Sequence, residues 1–153
     1  MRLFLALMLL LSPALVRAAN AVSLSSTVFV ERLVKDTDGR RKLVLEPPKT
    51  VIPGDRLVYI LQYRNAGSSP AANVYVVNPI PTAVIFQGAA DPSAQVSVDG
   101  GQNWGRVETL KKRESDGMWR GARLEDVTHV RWIIARPIKA GATGKLSFRG
   151  LVR

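Results

Sequence analysis

The chain has 153 residues, with 22 Lys and Arg against 12 Asp and Glu, a net charge of +10, one histidine and no cysteine. Without cysteine there are no disulfide staples, no thiolate metal ligands and no lipid attachment through a thiol. With a single histidine as well, a zinc site of the usual kind cannot be assembled.

Residues 1–18 have the form of an export signal. Arg2 supplies the positive start, Leu3 to Leu11 the apolar run, and Pro13 breaks it; Val16-Arg17-Ala18 fits the small-x-small cleavage rule. The apolar run is well short of the ~20 residues that a membrane span needs. Cleavage before Ala19 removes Arg2 and Arg17 and no acidic residue. Residues 19–153 then carry 20 basic and 12 acidic side chains, a balance of +8. That length suits one ordinary domain, which must rest on its own core. The expected location is the periplasm or the medium.

Ser25 to Val34 reads as a first strand. Asp36-Thr37-Asp38-Gly39 closes a hairpin, and Lys42 to Glu46 returns. The two carboxylates before Gly39 also begin a calcium loop, but Arg40, Arg41 and Lys42 follow where further oxygen ligands are required. Pro47-Pro48 makes a stiff connector. Pro53-Gly54-Asp55 is turn chemistry of type II, with proline presetting φ and glycine taking the positive φ. From Arg56 to Arg64 the residues alternate, placing Leu57, Tyr59, Leu61 and Tyr63 on one face of a strand. Asn65-Ala66-Gly67 supplies the next break, because Asn and Gly enter left-handed space most cheaply. Asn73 to Val77 is another strand, and Asn78-Pro79-Ile80-Pro81 is expected to end it, since proline cannot donate to a ladder.

Ala83 to Phe86 and Gln95 to Val98 are short strands around a loop, Gly88 to Pro92. Ser97-Val98-Asp99-Gly100-Gly101-Gln102-Asn103-Trp104 fits the pattern Ser-x-Asp-x-Gly-x-x-Trp and resembles the hairpin motif called an Asp box. Asp99 can accept turn amides, Gly101 can take a positive φ, and Trp104 can pack back across the turn. Such boxes recur in sialidase-like propellers, away from the chemistry, and one box cannot build a propeller of four-stranded blades. Val107 to Val127 is the least regular stretch. Val127 to Ala135 is a strand with Val130, Trp132 and Ile134 on one face. Pro137 to Thr143 turns. Lys145 to Val152 closes the domain, and its outward Lys and Arg read as those of an edge strand. About eight strands (seven to nine) and no helix after the signal predict an all-β, antiparallel sandwich of immunoglobulin-like type.

The run PGDRLVYILQYRNAG at residues 53–67, followed by Val74-Tyr75-Val76 and Asn78-Pro79-Ile80-Pro81, resembles the bacterial surface-repeat domain known as domain of unknown function eleven. The likeness continues through Val130-Arg131-Trp132, Lys139-Ala140-Gly141 and Lys145 to Phe148, and so covers most of the chain after about Thr50. It implies an immunoglobulin-like sandwich on an exported protein, and no activity. The chain departs from the family in having Asn78 where Asp is usual, which argues against a cation there. It also carries one copy where arrays are common, which argues against a stalk.

Within Val107–Val127, Lys111, Lys112 and Arg113 precede a turn, and Trp119 and Arg120 follow it. These five residues are the candidate contact surface, because a long connection in a compact domain is usually functional or mobile and tryptophan anchors many interfaces and sugar sites. His129 has no partner visible in the sequence, and neighbouring Glu125 and Asp126 would point apart on an extended chain, unlike the facing carboxylates of a glycosidase. No cofactor and no catalytic centre are expected. The anticipated role is non-catalytic binding or structural contact in the cell envelope, with anionic envelope polymers or another envelope protein as partners. Nucleic acid is not expected, since no reader motif is present. The alternatives are an assembly factor or pilus-like subunit whose sheet edge accepts a partner strand, and a small hydrolase.

Overall fold

A computed structural model describes residues 22–153. The export signal predicted over residues 1–18 lies outside the described residues. The strands are β1 (Val22–Lys35), β2 (Arg41–Glu46), β3 (Arg56–Asn65), β4 (Val74–Pro79), β5 (Val84–Ala89), β6 (Gln95–Ser97), β7 (Lys111–Arg113), β8 (Trp119–Gly121), β9 (His129–Ile134) and β10 (Thr143–Val152). All pairings are antiparallel. A five-stranded sheet runs β2-β1-β3-β10-β5, a three-stranded sheet runs β4-β9-β6, and β7 and β8 form a separate hairpin. The chain is thus an all-β sandwich, as its alternating residues predict. Among the described residues no helix is long and apolar enough to cross a membrane.

The core lies between the two larger sheets. Leu57, Tyr59 and Leu61 of β3 and Leu146 and Phe148 of β10 face Val76 of β4, Val96 of β6, and Val130 and Trp132 of β9. Phe148 sits at the centre. Its ring stacks on Tyr59 at 4.4 Å between centroids and meets Trp132 at 6.3 Å and Phe86 at 6.2 Å. Burial of this apolar surface is the main source of stability in a fold that has no cysteine.

Several expectations are corrected. β10 is not an edge strand: it lies between β3 and β5. Its outward Lys145 and Arg149 mark the wet face of an antiparallel sheet, a pattern that interior strands share with edge strands. β4 continues through Pro79, which lies opposite His129. β4 is the true edge of its sheet, so the missing proline N–H costs no interior ladder bond there. β1 is longer than expected because its first part pairs with β3 and its last part with β2. Asn65 and Gly67 do not enter left-handed space; that conformation falls to Asn73, with φ of 54°. Asn65, 1% exposed, instead makes its break through its side chain: Nδ2 donates to the carbonyls of Ser69 and Ile138, each at 2.8 Å, and Oδ1 accepts from the Gly67 amide at 3.0 Å.

The Pro53-Gly54-Asp55 turn is as expected, with Gly54 at φ of 91° and the Asp55 amide donating to the Ile52 carbonyl. Asp55 also does something the sequence does not announce. Its carboxylate is buried and paired to the Arg32 guanidinium at 2.5 and 3.1 Å, tying the turn to β1. That hydrogen-bonded pairing, helped by the Ile52 amide, holds its pKa below the ordinary carboxylate range. The Asn78-Pro79-Ile80-Pro81 exit is fastened by Asn78 Nδ2 donating to the Pro79 carbonyl and by the Val84 amide donating to the Pro81 carbonyl.

Candidate functional site

The stretch from Val107 to Val127 is folded, not an open loop. A 3-10 turn (Val107–Thr109) leads into the β7–β8 hairpin, and a second 3-10 turn (Leu124–Asp126) leads out of it. Gly117, at φ of 86°, permits the tip, where its amide donates to the Glu114 carbonyl.

Strand alternation then divides the five candidate residues. Lys112 and Arg120 lie opposite each other and share one face. That face turns toward the body: Lys112 Nζ donates to the Val98 carbonyl at 3.1 Å, and Arg120 holds Asp126 bidentately at 2.5 and 2.8 Å while also pairing with Glu114. The guanidinium hydrogen bonds depress the Asp126 pKa, and the two carboxylates raise that of Arg120. Arg120 is therefore a fastening of the hairpin and is not available to a ligand. Lys111, Arg113 and Trp119 occupy the opposite face and are exposed. Trp119 is 64% exposed and Met118 beside it 68%, so the indole does not tuck into the edge of the core.

The hairpin borders a cleft of about 400 Å³ whose other wall is the Asp box. There, Ser97 is fully buried; its Oγ donates to Asp99 Oδ1 at 2.7 Å and accepts from the Gly101 amide at 2.9 Å. Asp99 Oδ1 also accepts from the Gln102 and Asn103 amides at 3.1 and 2.9 Å, and Oδ2 from Asn103 Nδ2 at 2.7 Å. These donors, the Asn103 amide foremost, pull its pKa down to about 2. Gly100 and Gly101 take φ of 78° and 91°, and Trp104 Nε1 closes the turn on the Gly101 carbonyl at 2.8 Å. The motif acts as the structural turn expected of it: every oxygen of Asp99 is already engaged by its own turn.

Trp104 does more than pack. The Arg131 guanidinium lies 4.4 Å from its ring centroid and 5.9 Å from that of Tyr75, with Nη2 donating to Gln95 Oε1 at 2.5 Å. His129, without a partner in the sequence reading, meets the edge of Trp104 and lies 3.0 Å from the Thr128 hydroxyl. This aromatic-guanidinium row joins β4 and β9 to the Asp-box turn, and only knowledge of strand pairing could have revealed it. Glu125 and Asp126 do not lie on an extended chain but in the 3-10 turn Leu124–Asp126, and they pair separately, Asp126 with Arg120 and Glu125 with Arg123. Among the described residues no group of three or more His, Cys, Asp or Glu side chains is placed to hold a metal ion.

What the arrangement offers is therefore an exposed indole beside two exposed cations at the rim of a shallow cleft. No protein-family model, no curated protein and no solved structure matches the chain.

Proposed function

We propose that this chain is a non-catalytic, exported envelope protein of the periplasm or cell exterior that binds an anionic polymer across the open face of the β7–β8 hairpin. The observation that carries the reading is the division of the cations. Arg120 and Lys112 are consumed in fastening the hairpin, whereas Lys111, Arg113 and Trp119 stand exposed on a fastened platform. Two cations attract an acidic chain, and an indole offers a face on which a sugar ring can stack. The export-signal form of residues 1–18 supports the same location. Retention on immobilised polygalacturonate tests the reading. Retention should fall steeply with salt, should drop when Lys111 and Arg113 are changed to Ala, and should drop again with Trp119→Ala. Retention untouched by the Lys111 and Arg113 changes would remove the hairpin from the proposal.

A second reading rests on β2, which pairs only with β1 and so leaves its outer edge open among the described residues. A partner strand could add there, as in an assembly factor or pilus-like subunit. Recovery of one defined envelope protein, lost on placing a proline in the middle of β2, would favour it. A hydrolase would instead require turnover that disappears with His129→Ala or Asp99→Ala.

A further inference from the structure

We propose that the solvent face of the five-stranded sheet docks on the surface of an anionic phospholipid bilayer, independently of the hairpin. The ladder alternation of β1, β2, β3 and β10 decides which residues face out. Leu33 lies directly opposite Leu43, and the stripe continues through Leu45, next in phase on β2. These three leucines are 60%, 55% and 45% exposed. Leu45 borders a shallow groove of about 310 Å³ lined also by half-buried Ile60, by Val58, which is itself buried, and by Lys145, so the exposed leucines end at a groove that reaches the middle of the sheet.

The same face carries the cations Lys35, Arg41, Arg56, Arg64, Lys145 and Arg149, at both ends of the stripe and along its middle. Its single carboxylate along these ladders, Glu31, is only 5% exposed and bonded to Arg149 at 2.9 Å. None of the other five cations has an ion-pair partner among the described residues. Exposed leucines bordered by Lys and Arg match an interface in which hydrocarbon lies beneath anionic headgroups. The charge also argues against a second copy of this chain as the occupant. A face-to-face pair would set these cations against their own images, and the nearest exposed carboxylates, Asp36 and Asp38, sit at the β1–β2 hairpin tip, where Asp36 already accepts amides of its own turn.

Co-sedimentation of the mature chain with vesicles tests the proposal. Vesicles containing phosphatidylglycerol should carry the protein down at low salt, and vesicles of phosphatidylcholine alone should not. Leu33→Ser, Leu43→Ser and Leu45→Ser together should weaken binding by about tenfold, with the far-ultraviolet spectrum unchanged. Arg64→Glu with Lys145→Glu, at the far end of the face, should weaken it too. Lys111→Ala, Arg113→Ala and Trp119→Ala should lose polygalacturonate retention but sediment as the unaltered chain does, so that either surface can fail without the other. Absence of sedimentation with phosphatidylglycerol vesicles would overturn the proposal, as would undiminished binding by the leucine variant. A dimer in solution that the leucine changes convert to monomer would overturn it in favour of self-association.

Discussion

Arg120 and Asp126 face each other across the base of the β7–β8 hairpin, joined by two parallel hydrogen bonds of 2.5 and 2.8 Å. Bidentate pairing fixes orientation as well as distance. It therefore sets the angle at which Lys111, Arg113 and Trp119 are presented. Because Asp126 titrates below its ordinary range when folded, the pair supports the hairpin fully above the unfolded carboxylate pKa and releases it as pH falls through the folded value. Arg120→Ala should speed amide exchange from Lys111 to Gly121 at neutral pH and leave β3 and β10 protected. Acidification should reproduce that pattern in the unaltered chain. Equal protection of the hairpin in both proteins would show that the pair does not hold it.

Asp99 gives a second acid-sensitive element. Its pKa of about 2 arises from the amides and side chain that it organises, so the unfolded chain binds its proton at higher pH than the folded one. Stability should rise with pH from about 2 into the ordinary carboxylate range and then level off. Asp99→Asn should flatten that part of the urea-midpoint profile. An unchanged acid limb would assign it to Asp55 or Asp126 instead.

The fold was legible wherever one residue's chemistry decides the outcome. Leu57, Tyr59 and Leu61 alternate because one face of β3 is dry, and that period is written in the chain. The Pro53-Gly54 turn and the Asp box were legible because a short-range bond defines each, Asp55 amide to Ile52 carbonyl and Asn103 amide to Asp99; the bonds that dock them, Gly54 amide to Val152 carbonyl and Gly100 amide to the Thr128 hydroxyl, were not. Illegible features depend on who lies beside whom. Lys145 and Arg149 look the same on an edge strand as on an interior strand with a wet face. The split of Lys112 and Arg120 from Lys111, Arg113 and Trp119 needed the hairpin register. Arg131 between Trp104 and Tyr75 needed the pairing of β4 with β9 and the placement of the Asp-box turn beside them.

Asn65 illustrates the difference between a turn propensity and a turn mechanism. Its side chain is buried and satisfies two carbonyls and one amide, one of the carbonyls from a residue far along the chain. Asn65→Ala should therefore cost about 1–3 kcal/mol, since it removes all three of these hydrogen bonds, although the Ile138 carbonyl keeps the Ala71 amide as a donor. Asn65→Gly should restore none of it. If left-handed backbone were the point of the residue, glycine would be the better substitute. Urea denaturation of the two variants separates these accounts.

Phe148 and Trp119 make a paired test of what is core and what is surface. Phe148 is 1% exposed and touches three other rings, so Phe148→Ala should cost about 3–5 kcal/mol. Trp119, at 64% exposed, should cost within about 0.5 kcal/mol when changed to Ala. A large loss with Trp119→Ala would mean that the indole packs on the body, and the open platform would have to be abandoned.

Gly150 of β10 lies where a side chain would collide with β5. A Cβ built there would stand 2.3 Å from Val84 Cγ1, on the buried side of the sheet, and Tyr59 lies just beyond at 3.6 Å. Glycine is required at this position by space, not by φ, which is not in the left-handed region. Gly150→Ala should destabilise the fold by about 1–3 kcal/mol through overpacking. Val84→Ala alone should also destabilise, by removing buried methyl groups. Together they should cost less than the sum, because the new methyl fills space that the valine vacates. Additive losses in urea denaturation would show that the backbone of β10 moves to absorb the clash, and that the contact with Val84 does not set the spacing of the two strands.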